Sequence, residues 1–185
     1  MYIRDCSPFV GTSGRYEEEN KDQIREYGQT VFDNFLRSGL HGAEWPHSAY
    51  VVFKRPGTDD VRVLENSPEG VHAEIKLIEE LKQIAYKEDL RDASLVFYAN
   101  YTPCGRCADE IISFKDEYDV NFEIVAAAPY MVSRASCRHC KGFSRENEHG
   151  LRRLSENKIK VRGFDWNHWA KLIYLMNDAS NLAGR

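Results

Sequence analysis

The hydrophobic positions near the start of the chain follow a helical period. Between residues 16 and 38, apolar side chains recur three or four positions apart, at Ile24, Tyr27, Val31 and Phe35. This spacing places them on one face of a helix. The glycine at position 39 suits the residue just past a helix end. The pattern therefore predicts an amphipathic helix over residues 16–38, preceded by an irregular arm over residues 1–15.

Beyond this helix the pattern changes to short β-branched and aromatic runs. Residues 49–53 and 61–64 flank a turn that contains Pro56-Gly57, and together they predict a β-hairpin. Helical and strand-like patterns then alternate towards the end of the chain. They predict helices over residues 72–87, 104–118, 146–156 and 165–176, and strands over residues 95–98, 122–128 and 159–162.

The order of these predicted elements indicates the fold class. A hairpin followed by alternating helices and strands is typical of an α/β protein. We expect a three-layer sandwich, in which a central sheet of about five strands is flanked by helices and the later strands are parallel. Trp166 and Trp169 lie three positions apart on the last predicted helix, and both are expected to pack in the core.

Length and charge narrow the class of protein. The 185 residues suit a single domain, which we assign to residues 16–185. The formal net charge is −4, so the chain as a whole does not attract nucleic acid. No apolar stretch has the length of a membrane span, and residues 1–10 lack the apolar run of a secretion signal. The sequence predicts an intracellular protein, cytoplasmic and/or nuclear, with no membrane partner.

The cysteines supply the first chemical signal. Four of the five form two Cys-x-x-Cys pairs, which in a reducing compartment indicate metal ligands or redox centres before disulfides. Cys104 and Cys107 open one predicted helix and share its face, while His72 opens another. One His and two Cys leave a fourth zinc position for water, as in a catalytic site. Glu74 is then a free carboxylate beside the metal, whereas a structural zinc knuckle, the alternative for Cys-x-x-Cys alone, has four protein ligands.

These residues also carry a family resemblance. His72-Ala-Glu74 followed by Pro103-Cys104-Gly-Arg-Cys107 matches the signature of zinc-dependent deaminases. Further segments resemble the AID/APOBEC family of polynucleotide cytidine deaminases: its first strand, the strand before its Cys pair, its Gly-Leu-Arg-Arg-Leu helix and its aromatic last strand-to-helix segment. In this chain they are residues 48–55, 97–107, 150–154 and 163–169.

The resemblance implies an activity. The expected reaction is zinc-dependent hydrolytic deamination of cytosine to uracil in single-stranded DNA or RNA, with DNA favoured. It implies a Zn2+ ion held by His72, Cys104 and Cys107, with Glu74 as the catalytic residue. Two alternatives remain open: a deaminase of free cytidine, deoxycytidine or their nucleotides, which fits the acidic net charge, and a catalytically silent, zinc-stabilised nucleic-acid-binding member of the family. An intact Glu74 argues against the silent member.

Position by position, the resemblance also implies substrate contacts. Asn66 matches the asparagine that holds the target nucleotide, and Tyr130 matches the aromatic that packs on the flipped cytosine and its 5′ neighbour. Tyr101 and Thr102 replace the family's Trp-Ser and keep an aromatic wall and a hydroxyl. Arg134 lies in the segment over residues 129–149, which we expect to read the 5′ base. The alternatives are a turn-capping side chain at Asn66 and an exposed strand-end aromatic at Tyr130.

Residues 134–162 are strongly basic, in contrast to the whole chain. They contain nine basic and three acidic residues. Such a sector beside the pocket could follow a phosphate backbone despite the global charge, and a solvated helix face is the alternative.

The second cysteine pair, Cys137 and Cys140, is a candidate for a second metal site. Its spacing suits one arm of a zinc finger, but the sequence contains no evident second arm. Reduced surface thiols are the alternative that we favour.

Overall fold

A computed structural model describes residues 28–38, 48–130 and 141–182. Its sheet has five strands in the order β2-β1-β3-β4-β5. The strands are β1 (Tyr50–Lys54), β2 (Val61–Glu65), β3 (Ser94–Tyr101), β4 (Asn121–Ala128) and β5 (Lys160–Gly163). The helices are α1 (residues 28–38), α2 (Ala73–Ala85), α3 (Gly105–Tyr118), α4 (Lys141–Glu156) and α5 (Trp166–Leu182).

The predicted hairpin and the predicted strand directions are confirmed. β1 pairs antiparallel with β2 and with β3, whereas β3, β4 and β5 are mutually parallel. The hairpin turn contains Gly57 with a φ of +69°, a conformation that glycine adopts without a Cβ clash. Because β3 and β4 are parallel neighbours, their carboxyl ends lie at the same edge of the sheet.

Helices cover both faces of the sheet, which confirms the three-layer α/β sandwich. Alternate residues of β3 enter different cores, since successive side chains of a strand point to opposite faces. Leu95 and Phe97 pack with α2 and α3, whereas Tyr98 packs with residues of α1 and α5. Both clusters are largely aliphatic and aromatic, so burial of apolar surface holds the helices on the sheet.

Three predictions about helices need correction. α5 continues to Leu182, six residues past its predicted end at residue 176. α4 begins at Lys141, five residues before the predicted start near Glu146. The intervening residues are mostly polar, so no apolar period marked that first turn. Trp166 is 84% exposed and does not pack in the core, whereas Trp169 stacks on Phe164 at 4.4 Å between ring centroids. Trp166 is the first residue of α5, so the preceding turn that its side chain would cover is missing.

Several predictions lie outside the described residues. These are the arm over residues 1–15, the first part of the helix predicted over residues 16–38, and residues 131–140 of the segment over residues 129–149. Residues 141–149 of that segment belong to α4. Among the helices of the described ranges, none combines the length and apolar character that a membrane span requires.

The buried side-chain amide of Asn100 joins α1 and the start of β1 to the carboxyl end of β3. Asn100, near the end of β3, is fully buried. Its Oδ1 accepts a hydrogen bond from the Tyr50 amide (2.8 Å), and its Nδ2 donates to the Ser48 carbonyl (3.0 Å) and to Ser38 Oγ (3.3 Å). Ser38 ends α1 and Ser48 precedes β1, so Asn100 holds the residues on both sides of positions 39–47 against β3.

We expect Asn100→Ala to lower the free energy of unfolding by about 3 kcal/mol, because it leaves buried polar groups of the backbone without partners. The corresponding fall in Tm is roughly 6–12 °C for a chain of this size. The matched control is Asn121→Ala, at an exposed position of β4. Urea unfolding of both variants checks the prediction, and equal stabilities would contradict it.

Candidate active site

The predicted metal ligands lie at the starts of two neighbouring helices. His72 immediately precedes α2, Cys104 immediately precedes α3, and Cys107 lies in the first turn of α3. α2 and α3 pack against each other. Their N-termini therefore present one imidazole and two thiols to the same space. The partial positive charge of a helix N-terminus also favours thiolate over thiol.

The geometry of these three side chains suits one metal ion. Their ligand atoms all lie within 4.8 Å of one another. His72 Nδ1 is 3.5 Å from Cys104 Sγ and 3.3 Å from Cys107 Sγ. In a tetrahedral zinc site with Zn–N and Zn–S bonds of about 2.0 and 2.3 Å, nitrogen and sulfur ligands are about 3.5 Å apart. The donor set and its spacing therefore fit zinc, and three protein ligands would leave one position of a tetrahedral ion for a fourth.

Glu74 is the acidic group beside these ligands. Its side chain lies in the first turn of α2 and is only 6% exposed. Oε2 is 3.8 Å from Cys107 Sγ. Burial raises the pKa of Glu74 above its ordinary value, because the charged carboxylate loses its hydration. A buried carboxyl group at this place can accept a proton and hold it.

The two thiols differ in acidity. The hydrogen bond from the Cys107 thiol lowers the pKa of Cys104 to about 5, so Cys104 is the thiolate. The same hydrogen bond, together with burial, raises the pKa of Cys107. A cation that binds both sulfurs must displace the remaining proton, which couples metal binding to proton release.

Tyr101, Thr102 and Tyr130 lie together where β3 and β4 end. The rings of Tyr101 and Tyr130 are 5.8 Å apart between centroids. Thr102 Oγ1 accepts a hydrogen bond from the Tyr130 amide at 2.9 Å. Burial raises the pKa of Tyr130, and the nearby charges of Cys104 and Glu74 raise it further. The phenol thus borders the metal-ligating group.

The other predicted site residues have different outcomes. Asn66 follows β2, and its Oδ1 accepts a hydrogen bond from the Ala49 amide at 2.6 Å. The backbone N–H of Asn66 donates to the Ala49 carbonyl at 2.9 Å, so Asn66 anchors the start of β1. The side-chain hydrogen bond joins residues 17 positions apart and does not cap the turn that follows β2. A contact of Asn66 with substrate remains a prediction. Arg134, Cys137 and Cys140 lie outside the described residues.

The sequence did not predict the contacts that α4 makes with the start of α3, where Cys104 and Cys107 lie. Asn147 Oδ1 accepts a hydrogen bond from the Gly105 amide at 3.1 Å, and Arg153 Nη2 donates to the Gly105 carbonyl at 3.2 Å. A Cβ on Gly150 would lie 2.8 Å from Gly105 Cα, so only glycine permits this approach. Gly150 and Arg153 belong to the Gly-Leu-Arg-Arg-Leu segment, but no sequence signal singles out Asn147.

The sheet order, the parallel β3-β4-β5 unit and the His-Cys-Cys group at two helix N-termini define a cytidine-deaminase-like α/β protein. The sequence model of the APOBEC3H family matches residues 46–171, more than half of the chain. The chain therefore belongs to the APOBEC3H family, which confirms the AID/APOBEC resemblance. Its class of activity is that of the cytidine deaminases, which are hydrolases.

Comparison with solved structures finds similar folds at low identity. The dCMP deaminase of the cyanophage S-TIM5 in its apo form is 12% identical, with 81% of this chain and 98% of that chain covered and a TM-score of 0.39. RibD of Acinetobacter baumannii is 17% identical, with 86% of this chain and 41% of that chain covered and a TM-score of 0.44. At these identities the similarity concerns the fold alone. No curated protein sequence matches the chain.

Proposed function

We propose that this protein is a zinc-dependent deaminase that converts cytosine to uracil in single-stranded polynucleotides, with DNA favoured over RNA. The observation that carries this proposal is the convergence of the His72, Cys104 and Cys107 ligand atoms within 4.8 Å, beside the buried Glu74 carboxyl group. A structural zinc site would have no use for that carboxyl group. Family membership supplies the choice of cytosine and of a single strand.

The ligand geometry supports zinc at this site. His72, Cys104 and Cys107 would supply three ligands and leave one position of a tetrahedral ion for water. When bound, zinc lowers the pKa of such a water to near neutrality, which provides hydroxide at the pH of the cell.

Glu74 performs the proton transfers in this proposal. Its carboxylate takes a proton from the attacking water and delivers it to N3 of cytosine, which makes C4 electrophilic. After attack at C4, Glu74 takes the proton of the new C4 hydroxyl group and passes it to the amino group. The C4–N bond then breaks as the C4 carbonyl forms, so water and cytosine yield uracil and ammonia. The place of Glu74 supports this role, because its buried carboxyl group lies beside the candidate ligands, with Oε2 3.8 Å from Cys107 Sγ.

The aromatic pair supports recognition of an unpaired base. Tyr130 has a half-buried side chain whose ring lies 5.8 Å from that of the buried Tyr101. A base that leaves its stack can pack on such a surface, which contributes about 1–3 kcal/mol per base. Duplex DNA keeps its bases stacked, so a single strand is the better substrate.

The basic sector supports a polyanionic substrate, although with fewer cations than the sequence suggests. Arg153 bridges to Asp109 at 2.8 Å, and Arg162 bridges to Glu123 at 2.8 Å. These two arginines are therefore partly neutralised within the protein. Four other members of the sector have exposed side chains: Arg145, Arg152, Lys158 and Lys160.

The zinc-loaded full chain should convert cytosine to uracil in a single-stranded DNA oligonucleotide that contains one cytosine. Uracil excision followed by strand cleavage measures the product. The matched substrates are the same sequence in RNA, the same sequence in a duplex, free cytidine and dCMP. We expect the DNA single strand to react fastest and the duplex to be resistant.

Other outcomes would replace the proposal. Turnover confined to cytidine or dCMP would make the protein a nucleoside or nucleotide deaminase. Stoichiometric zinc and oligonucleotide binding without turnover of any substrate would make it a silent member of the family. Faster reaction of RNA than of DNA would reverse the proposed preference.

A further inference from the structure

Asn147 is a buried polar side chain whose contacts join two parts of the candidate site. It lies on α4 and is only 4% exposed. A buried amide is costly unless its donor and acceptor are both satisfied. Its Oδ1 accepts from the Gly105 amide at 3.1 Å, and its Nδ2 donates to the Tyr130 carbonyl at 3.2 Å. One side chain therefore contacts both the start of α3 and the residues that follow β4.

The contact with Gly105 acts as a helix cap supplied by another helix. The first amides of a helix lack partners within it, and the N-cap side chain commonly provides one. The N-cap of α3 is Cys104, whose side chain makes no capping hydrogen bond. Its sulfur instead faces His72. Asn147 supplies an acceptor that a metal-ligating cysteine at the N-cap does not provide.

With the contact from Asn147, both backbone groups of Tyr130 are hydrogen-bonded to side chains. The Tyr130 amide donates to Thr102 Oγ1 at 2.9 Å, and the Tyr130 carbonyl accepts from Asn147 Nδ2 at 3.2 Å. Thr102 lies between β3 and α3, so both anchors belong to elements that border the metal-ligating turn. The backbone of Tyr130 is held on both sides of its Cα.

We infer that Asn147 is a positioning residue that sets the place of the Tyr130 ring relative to the Cys104–Cys107 turn. It does not itself touch the reacting atoms. This inference deepens the proposed function, on which it rests for the role of Tyr130 as the surface for the base. Loss of the Tyr130 anchor should therefore weaken the capture of substrate more than the chemical step.

Asn147→Asp separates the two contacts. The carboxylate keeps an acceptor for the Gly105 amide, and negative charge is favourable at a helix N-terminus. The aspartate lacks the Nδ2 donor of Asn147 and places a carboxylate oxygen against the Tyr130 carbonyl. The matched control is Asn157→Asp, which makes the same charge change near the end of α4. Asn157 donates to the Arg153 carbonyl and contacts neither α3 nor Tyr130 through any described hydrogen bond.

Asn147→Asp is expected to change KM much more than kcat. Loss of one hydrogen bond should raise KM for the single-stranded oligonucleotide about three- to tenfold. The kcat should stay within about twofold, and zinc content should match that of Asn157→Asp. Tm should fall below that of Asn157→Asp, because the Tyr130 carbonyl loses its buried donor. Hydrogen–deuterium exchange should be faster in the peptide that contains Tyr130 and unchanged in the α3 peptide. The variants Asn147→Asp and Thr102→Val should be non-additive in KM, because both release Tyr130.

Two results would overturn the inference. One is unchanged exchange of the Tyr130 peptide in Asn147→Asp relative to Asn157→Asp. The other is an equal rise of KM in both variants, which would make the effect one of charge alone. If the wild-type chain turned over no cytosine substrate, the proposed function would fail. The exchange measurement would still decide whether Asn147 positions Tyr130.

Discussion

Glu74→Gln should abolish deamination while the protein keeps its fold and its zinc. An amide has nearly the shape of a carboxyl group, but it cannot accept the proton of the attacking water. General acid–base catalysis by one side chain typically contributes a factor of about 10²–10⁴ in rate. Glu74 carries out successive transfers in the proposed reaction, so we expect a loss at or beyond the upper end of that range.

The structure explains why this substitution should leave the fold intact. Glu74 is buried and its pKa is raised, so the folded protein disfavours the charged form. Glutamine keeps the size and shape of this buried side chain and carries no charge, so Tm should stay close to that of the wild type.

Glu79→Gln is the matched control, since Glu79 lies on the same helix with an exposed side chain. It should retain full activity. Turnover, zinc content by atomic emission and Tm are measured for both variants. A Glu74→Gln enzyme with even a tenth of the wild-type rate would show that another residue serves as the base.

Cys104→Ala should remove the metal and lower stability. Two remaining ligands hold zinc much less tightly than three, and the N-terminus of α3 loses the sulfur that faces His72. A ligand at a thousand times its Kd stabilises the folded state by about 4 kcal/mol. For a chain of this size, its loss lowers Tm by roughly 8–16 °C.

The matched control for this prediction is the double variant Cys137→Ala and Cys140→Ala, which alters the other Cys-x-x-Cys pair. It should retain one zinc per chain and full activity. Treatment of the wild type with a chelator should reproduce the fall in Tm of Cys104→Ala and should have little further effect on that variant. Full zinc occupancy in Cys104→Ala would refute the ligand assignment. Two zinc ions per wild-type chain, falling to one in the double variant, would establish the second site.

The local elements followed from short-range patterns in the sequence. Short β-branched and aromatic runs around a Pro-Gly turn predicted the hairpin, and helical spacing predicted α2 and α3 to within a few residues. The start of α4 and the burial of Trp166 were predicted wrongly, because the spacing of apolar residues did not reveal them. The first turn of α4 has mostly polar residues, and Trp166 is exposed because α5 has no turn before it.

The candidate metal site, His72 with Cys104 and Cys107, was also predictable from short-range spacing. His72 opens α2, and Cys104 and Cys107 open α3 three positions apart, so helix geometry aligns the two sulfurs. The match to a known signature then joined two segments that are distant in the chain. The roles of Asn66, Tyr101, Thr102 and Tyr130 in binding substrate rest on the resemblance and stay predictions.

Only the tertiary structure decided which polar side chains are buried and what they contact. Asn100 and Asn147 are ordinary asparagines in the sequence, where a buried amide and an exposed one look alike. Their partners are distant along the chain: Asn100 bonds to Ser48 and Tyr50, and Asn147 bonds to Gly105 and Tyr130. By itself the sequence determined most of the elements and the fold class, because these follow from periodicity and spacing, and it singled out His72, Cys104 and Cys107 as a candidate metal site. The supports that hold that site depend on hydrogen bonds between elements, and these exist only once packing has excluded water.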